Sequence, residues 1–247
     1  MLTEGSAVPG LEAVLFDMDG VLVDVAGSYR RAIAETVAAM GGGEVTPTEI
    51  QSYKDRGGFN DDWRLTHQLL IDHGREVDFP EVVAAFQERY RGVNWSGLIA
   101  NEPAQVRIDT LRQVAKWCHL ALVTGRPREE ASFTLGRFGW DEFFPVMIAM
   151  EDTEGRGKPD PSGLLDALAQ LSAREGKELN PERSAYVGDT VDDMRAALAA
   201  RMLAIGVVPA GQDFKTHAEV LTRAGARAVL SSPDDLPGLL RAGGMVG

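Results

Sequence analysis

The fold of this chain is constrained most by one stretch, Leu11-Glu-Ala-Val-Leu-Phe-Asp-Met-Asp-Gly-Val-Leu-Val-Asp24. Ala13 to Phe16 form a short apolar run with no polar alternation, the pattern of a strand covered on both faces. The run stops at two carboxylates, Asp17 and Asp19, with Gly20 behind them. Two acids at the carboxyl end of a buried strand are costly to place there without a partner. A divalent cation supplies one, because carboxylate oxygens in a tight turn suit Mg²⁺. An ordinary acidic turn is the plainer alternative. A calcium loop fits poorly, since that pattern wants three alternating ligands before its glycine.

After the opening strand the pattern is helical for about eighty residues. Ile33, Val37 and Met40 mark a first helix, closed by Gly41-Gly42-Gly43, and Thr46-Pro47 opens a second. Leu65, Leu69 and Leu70 mark a third, begun through Asn60-Asp61-Asp62, and Val83, Phe86 and Tyr90 a fourth. From residue 104 helices and short apolar strands alternate. Helices are expected around Val106 to Val114, Ala131 to Phe138, Pro161 (capped by Asp160) to Leu171, Val191 to Ala200 and Ala218 to Arg223. The strands between them are Leu120–Val123, Val146–Met150, Ser184–Val187, Met202–Gly206 and Arg227–Leu230. Such alternation predicts an α/β fold, a parallel sheet with helices on both faces and the first strand central. The helical block, residues 24–100, is expected to be an insertion standing apart from a core made of residues 1–23 and 101–247.

Composition excludes some functions. The formal charge of −12 disfavours nonspecific binding to nucleic acid or anionic membrane. It also obliges any anionic substrate to find a local positive site. The single cysteine, Cys118, rules out an internal disulfide and fits a reducing compartment. Residues 1 to 10 lack the basic start and apolar segment of a secretory signal, and no apolar run reaches the length of a membrane span. A cytoplasmic location is the expectation.

In parallel α/β sheets the ligand sits outside the carboxyl ends of the strands. Asp17 and Asp19 follow the first strand there, and Thr124-Gly125-Arg126 follows Leu120–Val123. Lys158 lies after Val146–Met150, and Gly188-Asp-Thr-Val-Asp-Asp193 follows Ser184–Val187. Acids for a cation, with a hydroxyl, amides and a lysine for an anion, are an inventory for handling phosphate.

These four segments resemble, in order, the four motifs of the haloacid dehalogenase superfamily, in its branch of phosphatases with a helical cap after the first motif. Asp17 to Asp24 match motif one, Val123-Thr-Gly-Arg126 motif two, Lys158-Pro-Asp-Pro161 motif three and Gly188 to Asp193 motif four. The resemblance implies a Rossmann-like core with an all-helical cap. It implies that Asp17 is the nucleophile and Asp19 the general acid/base. Asp17, the Asp19 carbonyl and Asp189 would bind Mg²⁺ with Asp193 in support, while Thr124, the Gly125 amide and Lys158 would hold the phosphate. Val25 stands where many relatives have a small polar residue, which warns against borrowing a substrate from them.

The function so implied is Mg²⁺-dependent hydrolysis of a small phosphorylated metabolite through an aspartyl-phosphate. A phosphosugar mutase is the runner-up on the same scaffold, and a non-catalytic binding protein is a rival of another class. Dehalogenase chemistry fits poorly, needing neither a second acid nor a metal. Plainer readings stand beside each residue. Asp193, three after Thr190, has capping-box spacing; Thr124 can be a helix-start hydroxyl and Lys158 a solvated loop lysine. Arg126 has two readings, reaching the substrate or forming a surface ion pair with Glu129 or Glu130. In the cap, the segment from Lys54 to Trp63 is read as a loop facing substrate through Lys54 or Arg56, or as a solvated turn. The four histidines show no ligand spacing, and Cys118 reads as a small apolar residue.

Overall fold

A computed structural model describes residues 10–56, 58, 59 and 61–245. Asn60, expected to help begin the third helix, and residues 1–9, where a secretory signal would stand, lie outside them. The described residues divide into two compact units, one up to Val23 and from Ala104 onward, the other Asp24–Pro103.

The first unit is built on a parallel sheet. Strand β1 (Ala13–Phe16) is buried along its whole length, as its unbroken apolar run requires. It pairs on one side with β2 (His119–Val123) and on the other with β4 (Ser184–Gly188). With β3 (Met147–Ile148), β5 (Leu203–Val207) and β6 (Ala228–Leu230) the strand order is β3-β2-β1-β4-β5-β6. The expected α/β architecture with a central first strand is therefore present.

The Asp24–Pro103 unit holds four α-helices among its described residues: α1 (Tyr29–Ala39), α2 (Pro47–Arg56), α3 (Asp62–Asp72) and α4 (Phe79–Tyr90). Helix α1 packs on α3 and α4. Asp61 caps α3 through the Trp63 and Arg64 amides, and Pro47 begins α2. The buried stripe of α4 is Val82, Phe86 and Tyr90; Val82, rather than the expected Val83, keeps the four-residue spacing of one helix face.

Among its described residues the sheet unit also holds six α-helices: α5 (Ile108–Ala115), α6 (Arg128–Phe138), α7 (Ser162–Glu175), α8 (Val191–Ala199), α9 (Phe214–Arg223) and α10 (Leu236–Ala242). Ala13 and Leu15 share a core with Leu164, Leu168 and Leu171 of α7, Met194 of α8 and Leu221 of α9. Phe16, on the opposite face by the two-residue period, meets Phe144 edge-on at 5.9 Å. Both faces are covered.

Other expectations are corrected too. The strand expected over 146–150 shortens to Met147–Ile148, because Asp152 accepts the Ala149 N–H at 2.7 Å and draws the chain into a 3-10 turn. Helix α7 starts at Ser162, one residue late, although Asp160 still accepts the Ser162 N–H at 2.8 Å. Val106 is buried but precedes α5. Helix α10 was not expected; Pro237 and Gly238 mask its apolar pattern, although proline is tolerated in a first turn. No helix among the described residues is long and apolar enough to cross a membrane.

Candidate active site

The site begins where β1 ends. The Asp17 N–H donates to the Val187 carbonyl at 2.9 Å, so Asp17 is held in register with β4 while its side chain leaves the sheet. The chain then doubles back, the Met18 carbonyl accepting the Leu22 N–H at 2.8 Å and the Val23 N–H at 3.1 Å. Gly20 adopts a φ of +71°, in the left-handed region, and a Cβ there would lie 2.2 Å from Asp189 Oδ2. The turns after β1 and β4 are thus pressed together, and only glycine leaves room for the Asp189 carboxylate.

Lys158 is no solvated loop lysine. Its side chain is 5% exposed. An ammonium has three N–H donors, and here they find Asp17 Oδ2 at 2.9 Å, Asp193 Oδ1 at 2.6 Å and the Tyr186 hydroxyl at 2.8 Å. Tyr186, fully buried on β4, directs its own O–H toward the Val123 carbonyl at 3.1 Å and Asp193 Oδ1 at 3.4 Å. From sequence this ring is indistinguishable from the rest of a short apolar strand. Its only signal is a phenolic hydroxyl in the middle of a strand buried on both faces.

Asp193 takes the capping role that its spacing suggested and adds a second contact, to Lys158. Its Oδ2 accepts the Asp189 N–H (3.1 Å), the Thr190 N–H (2.9 Å) and the Thr190 hydroxyl (2.7 Å), while the Thr190 hydroxyl accepts the Asp193 N–H at 3.2 Å. That is a capping box at the start of α8. Its Oδ1 meanwhile anchors Lys158. Gly188 admits this close approach, since a Cβ there would lie 2.4 Å from the Asp193 Cβ.

The electrostatics follow from one cation between two carboxylates in a dry setting. Burial pushes the Asp17 carboxyl up to about 7; Lys158 pulls against that, and Asp193 and Asp19 add to it. Burial works against the Lys158 charge, yet Asp17 and Asp193 hold it well above the ordinary lysine value. Asp193, though buried, is held below the usual carboxylate range by Lys158 and by its bonds to Thr190.

Thr124 and Arg126 complete the arc after β2. The Thr124 hydroxyl accepts the Arg126 N–H at 3.2 Å, which leaves its own proton to donate. Gly125 is exposed between them. Arg126 is buried, not on the surface, and so is Glu130. The guanidinium is directed at Asp19 Oδ1, with Nε at 2.6 Å and Nη2 at 2.5 Å.

Oxygens of Asp17, Asp189 and Asp193 lie within 4.8 Å of one another. Three carboxylates against the single charge of Lys158 leave a formal excess of two negative charges, and hard oxygen donors of that kind suit a divalent cation. Asp17 and Asp189 are the better ligands, because the five donors around Asp193 already occupy its oxygens. The residues fit a metal.

Lys54 and Arg56 belong to the other unit. Lys54 pairs with Asp62 at 2.8 Å, the two side chains 15% and 10% exposed, and Arg56 lies over the Tyr53 ring at 4.5 Å. Among the histidines, His217 donates from Nε2 to the Asp189 carbonyl at 2.9 Å; a carbonyl only accepts, so Nε2 carries the proton. Cys118 is buried, and burial pushes its thiol up to about 11.

Known proteins are similar to this chain in sequence and fold. The family model described as "Hydrolase: haloacid dehalogenase-like hydrolase" matches residues 11–201. An imidazoleglycerol-phosphate dehydratase of Phytophthora nicotianae is 36% identical over 236 residues, covering 90% of this chain; the chain spans only 50% of that relative's length. A phosphoglycolate phosphatase of Xylella fastidiosa (strain Temecula1) is 30% identical over 207 residues, covering 80% of each chain. A haloacid dehalogenase family hydrolase from Deinococcus radiodurans R1, solved with bound phosphate and sodium, is 26% identical, with a TM-score of 0.70 over 98% of this chain and 99% of that one. With that match across most of its length, the chain belongs to the haloacid dehalogenase-like hydrolase family.

Proposed function

We propose that the chain is a Mg²⁺-dependent phosphatase of small phosphorylated metabolites, with Asp17 as nucleophile. The observation that carries this reading is the buried Asp17 carboxylate at the end of β1, held 2.9 Å from Lys158 and clustered with Asp189. Attack by an Asp17 oxygen on phosphorus forms an acyl phosphate and splits hydrolysis into two easier steps. Lys158 and the donors of Thr124 and Gly125 stabilise charge on the transferring group, and Asp19 supplies the proton for the departing oxygen. Bound by Asp17, Asp189 and the Asp19 carbonyl, with Asp193 supporting, Mg²⁺ would supply charge neutralisation at the phosphoryl oxygens.

The Asp24–Pro103 unit is read as the cap that selects substrate, through Lys54 or Arg56. On that reading Lys54→Ala or Arg56→Ala raises KM for the true substrate and leaves hydrolysis of a small aryl phosphate nearly unchanged. Equal losses on both would place these residues in the chemistry.

The test of function is phosphate release from a panel of phosphate monoesters, with and without EDTA. The names of the relatives put phosphoglycolate and imidazoleglycerol phosphate in that panel beside sugar phosphates. EDTA-sensitive release, abolished by Asp17→Asn, supports the reading; no release from any ester overturns it. Isomerised product without free phosphate would point to a mutase.

A further inference from the structure

Arg126 is a buried cation to which phosphate binding gives no part. Its side chain is 0% exposed, whereas that of Asp19 is 30% exposed. Nε and Nη2 converge on one oxygen, Asp19 Oδ1, at 2.6 and 2.5 Å. Nη1 donates to the Thr134 hydroxyl on α6 at 3.0 Å, and Thr134 is itself completely buried. The backbone is tied as firmly. The Arg126 N–H goes to Thr124 Oγ1 at 3.2 Å, and its carbonyl accepts the Met150 N–H at 3.0 Å. A guanidinium is planar, so holding one edge on Thr134 fixes the direction of the other.

Asp19 needs such a guide. It sits in a turn beyond the strand end, and rotation of its side chain would carry either oxygen away from the reacting phosphorus. We infer that Arg126 is a positioning residue for Asp19, clamping Oδ1 so that Oδ2 is the oxygen presented to the reaction. The inference rests on the phosphatase reading. As the bond from Asp17 to phosphorus forms and the ester P–O bond breaks, Asp19 gives its proton to the departing oxygen. It then takes a proton from the water that attacks the acyl phosphate, which returns Asp17 and releases phosphate. Both transfers use the same presented oxygen. A direct phosphate contact by Arg126 would require it to abandon Asp19, exchanging one charge-assisted bond for another.

The experiment combines Arg126→Met and Arg126→Lys with Asp19→Asn. The rate of phosphoryl transfer to Asp17 is followed by rapid quench, using aryl phosphates of graded leaving-group acidity and one alkyl phosphate. Inhibition by inorganic phosphate is measured in parallel. A misplaced proton donor costs on the order of 10- to 100-fold where the leaving group needs a proton. Arg126→Met should therefore lose ~10- to 100-fold on the alkyl ester and under ~3-fold on the most activated aryl ester. Phosphate inhibition should stay within about 2-fold of the unsubstituted enzyme, and adding Arg126→Met to Asp19→Asn should cost nothing further. Arg126→Lys should recover part of the loss, since an ammonium can still donate one bond to Oδ1.

Weakened phosphate inhibition in step with the rate would overturn the inference in favour of direct phosphate binding. Equal losses across leaving groups, repeated in the Asp19→Asn background, would overturn it in favour of a role in the fold alone. Should the unsubstituted protein cleave no phosphate ester, the phosphatase reading fails by itself, and a crystal structure of Arg126→Met decides the positioning. An Asp19 carboxylate turned from its present direction supports the clamp; one left in place overturns it.

Discussion

The two units bury polar groups in different ways. At the strand ends of the sheet unit, Asp17, Asp189, Asp193 and Arg126 are all at least nine-tenths buried. Asp17 and Asp193 are engaged by the Lys158 ammonium, and Arg126 by the Asp19 carboxylate. The Asp24–Pro103 unit instead rests on apolar and aromatic packing, with the Tyr29 and Tyr90 rings stacked at 3.9 Å. Its buried acid Glu102 is met by the hydroxyls of Ser28 at 2.5 Å and Tyr90 at 3.0 Å. Burying several charges together is no economical way to stabilise a fold. A region that does so is organised for chemistry, and one that satisfies an acid with hydroxyls is organised for shape.

The contrast is broken most directly by Lys158→Met, which leaves Asp17 and Asp193 facing each other without their cation. Removing one partner of a buried pair costs about 3–5 kcal/mol, to be measured by chemical denaturation. A carboxyl whose pKa is raised in the folded state holds a proton that the unfolded chain gives up. Its stability contribution therefore falls as pH rises. The deficit of Lys158→Met should widen from about pH 5 to about pH 8; a deficit independent of pH would mean that Asp17 and Asp193 do not depend on Lys158.

Tyr90→Phe makes the corresponding change in the other unit. It keeps the stacked ring and removes the O–H held 3.0 Å from Glu102. The expected loss is about 1 kcal/mol, the worth of one hydrogen bond to a group that keeps its Ser28 donor. A loss as large as that of Lys158→Met would erase the distinction between the units.

The smallest effect is expected at His73, whose Nε2 lies 2.9 Å from Glu49 and whose Nδ1 lies 2.6 Å from the Gly42 carbonyl. The bond to Glu49, then that to Gly42, raises its pKa. A raised histidine contributes stability that is complete below its unfolded pKa and is lost as pH rises through the folded one. His73→Gln should cost a few tenths of a kcal/mol at about pH 6 and less at about pH 8, by urea denaturation at both values. A gap that grows with pH would contradict the assignment.

Much of this was legible in the residues. The β1 run reads correctly because burial on both faces erases alternation, and Thr190 and Asp193 stand at the capping spacing. The partners of those residues were not legible. Tyr186 looks like any apolar strand residue until Lys158 is placed beside it. Arg126 lies 107 residues from Asp19 in sequence, a separation across which local pattern carries no information. Local pattern fixes elements and chain turns; which buried polar groups meet is decided by the sheet order that brings strand ends together.

The central claim is that Asp17 carries the phosphoryl group. Its most direct test is covalent phosphate on Asp17, read by mass spectrometry after acid quench with an activated aryl phosphate and Mg²⁺. Label should be absent in Asp17→Asn. It should accumulate in Asp19→Asn, where the first step proceeds with an activated leaving group and the attacking water has lost its base. Normal turnover by Asp17→Asn, or phosphate recovered on another residue, would contradict the account of the site.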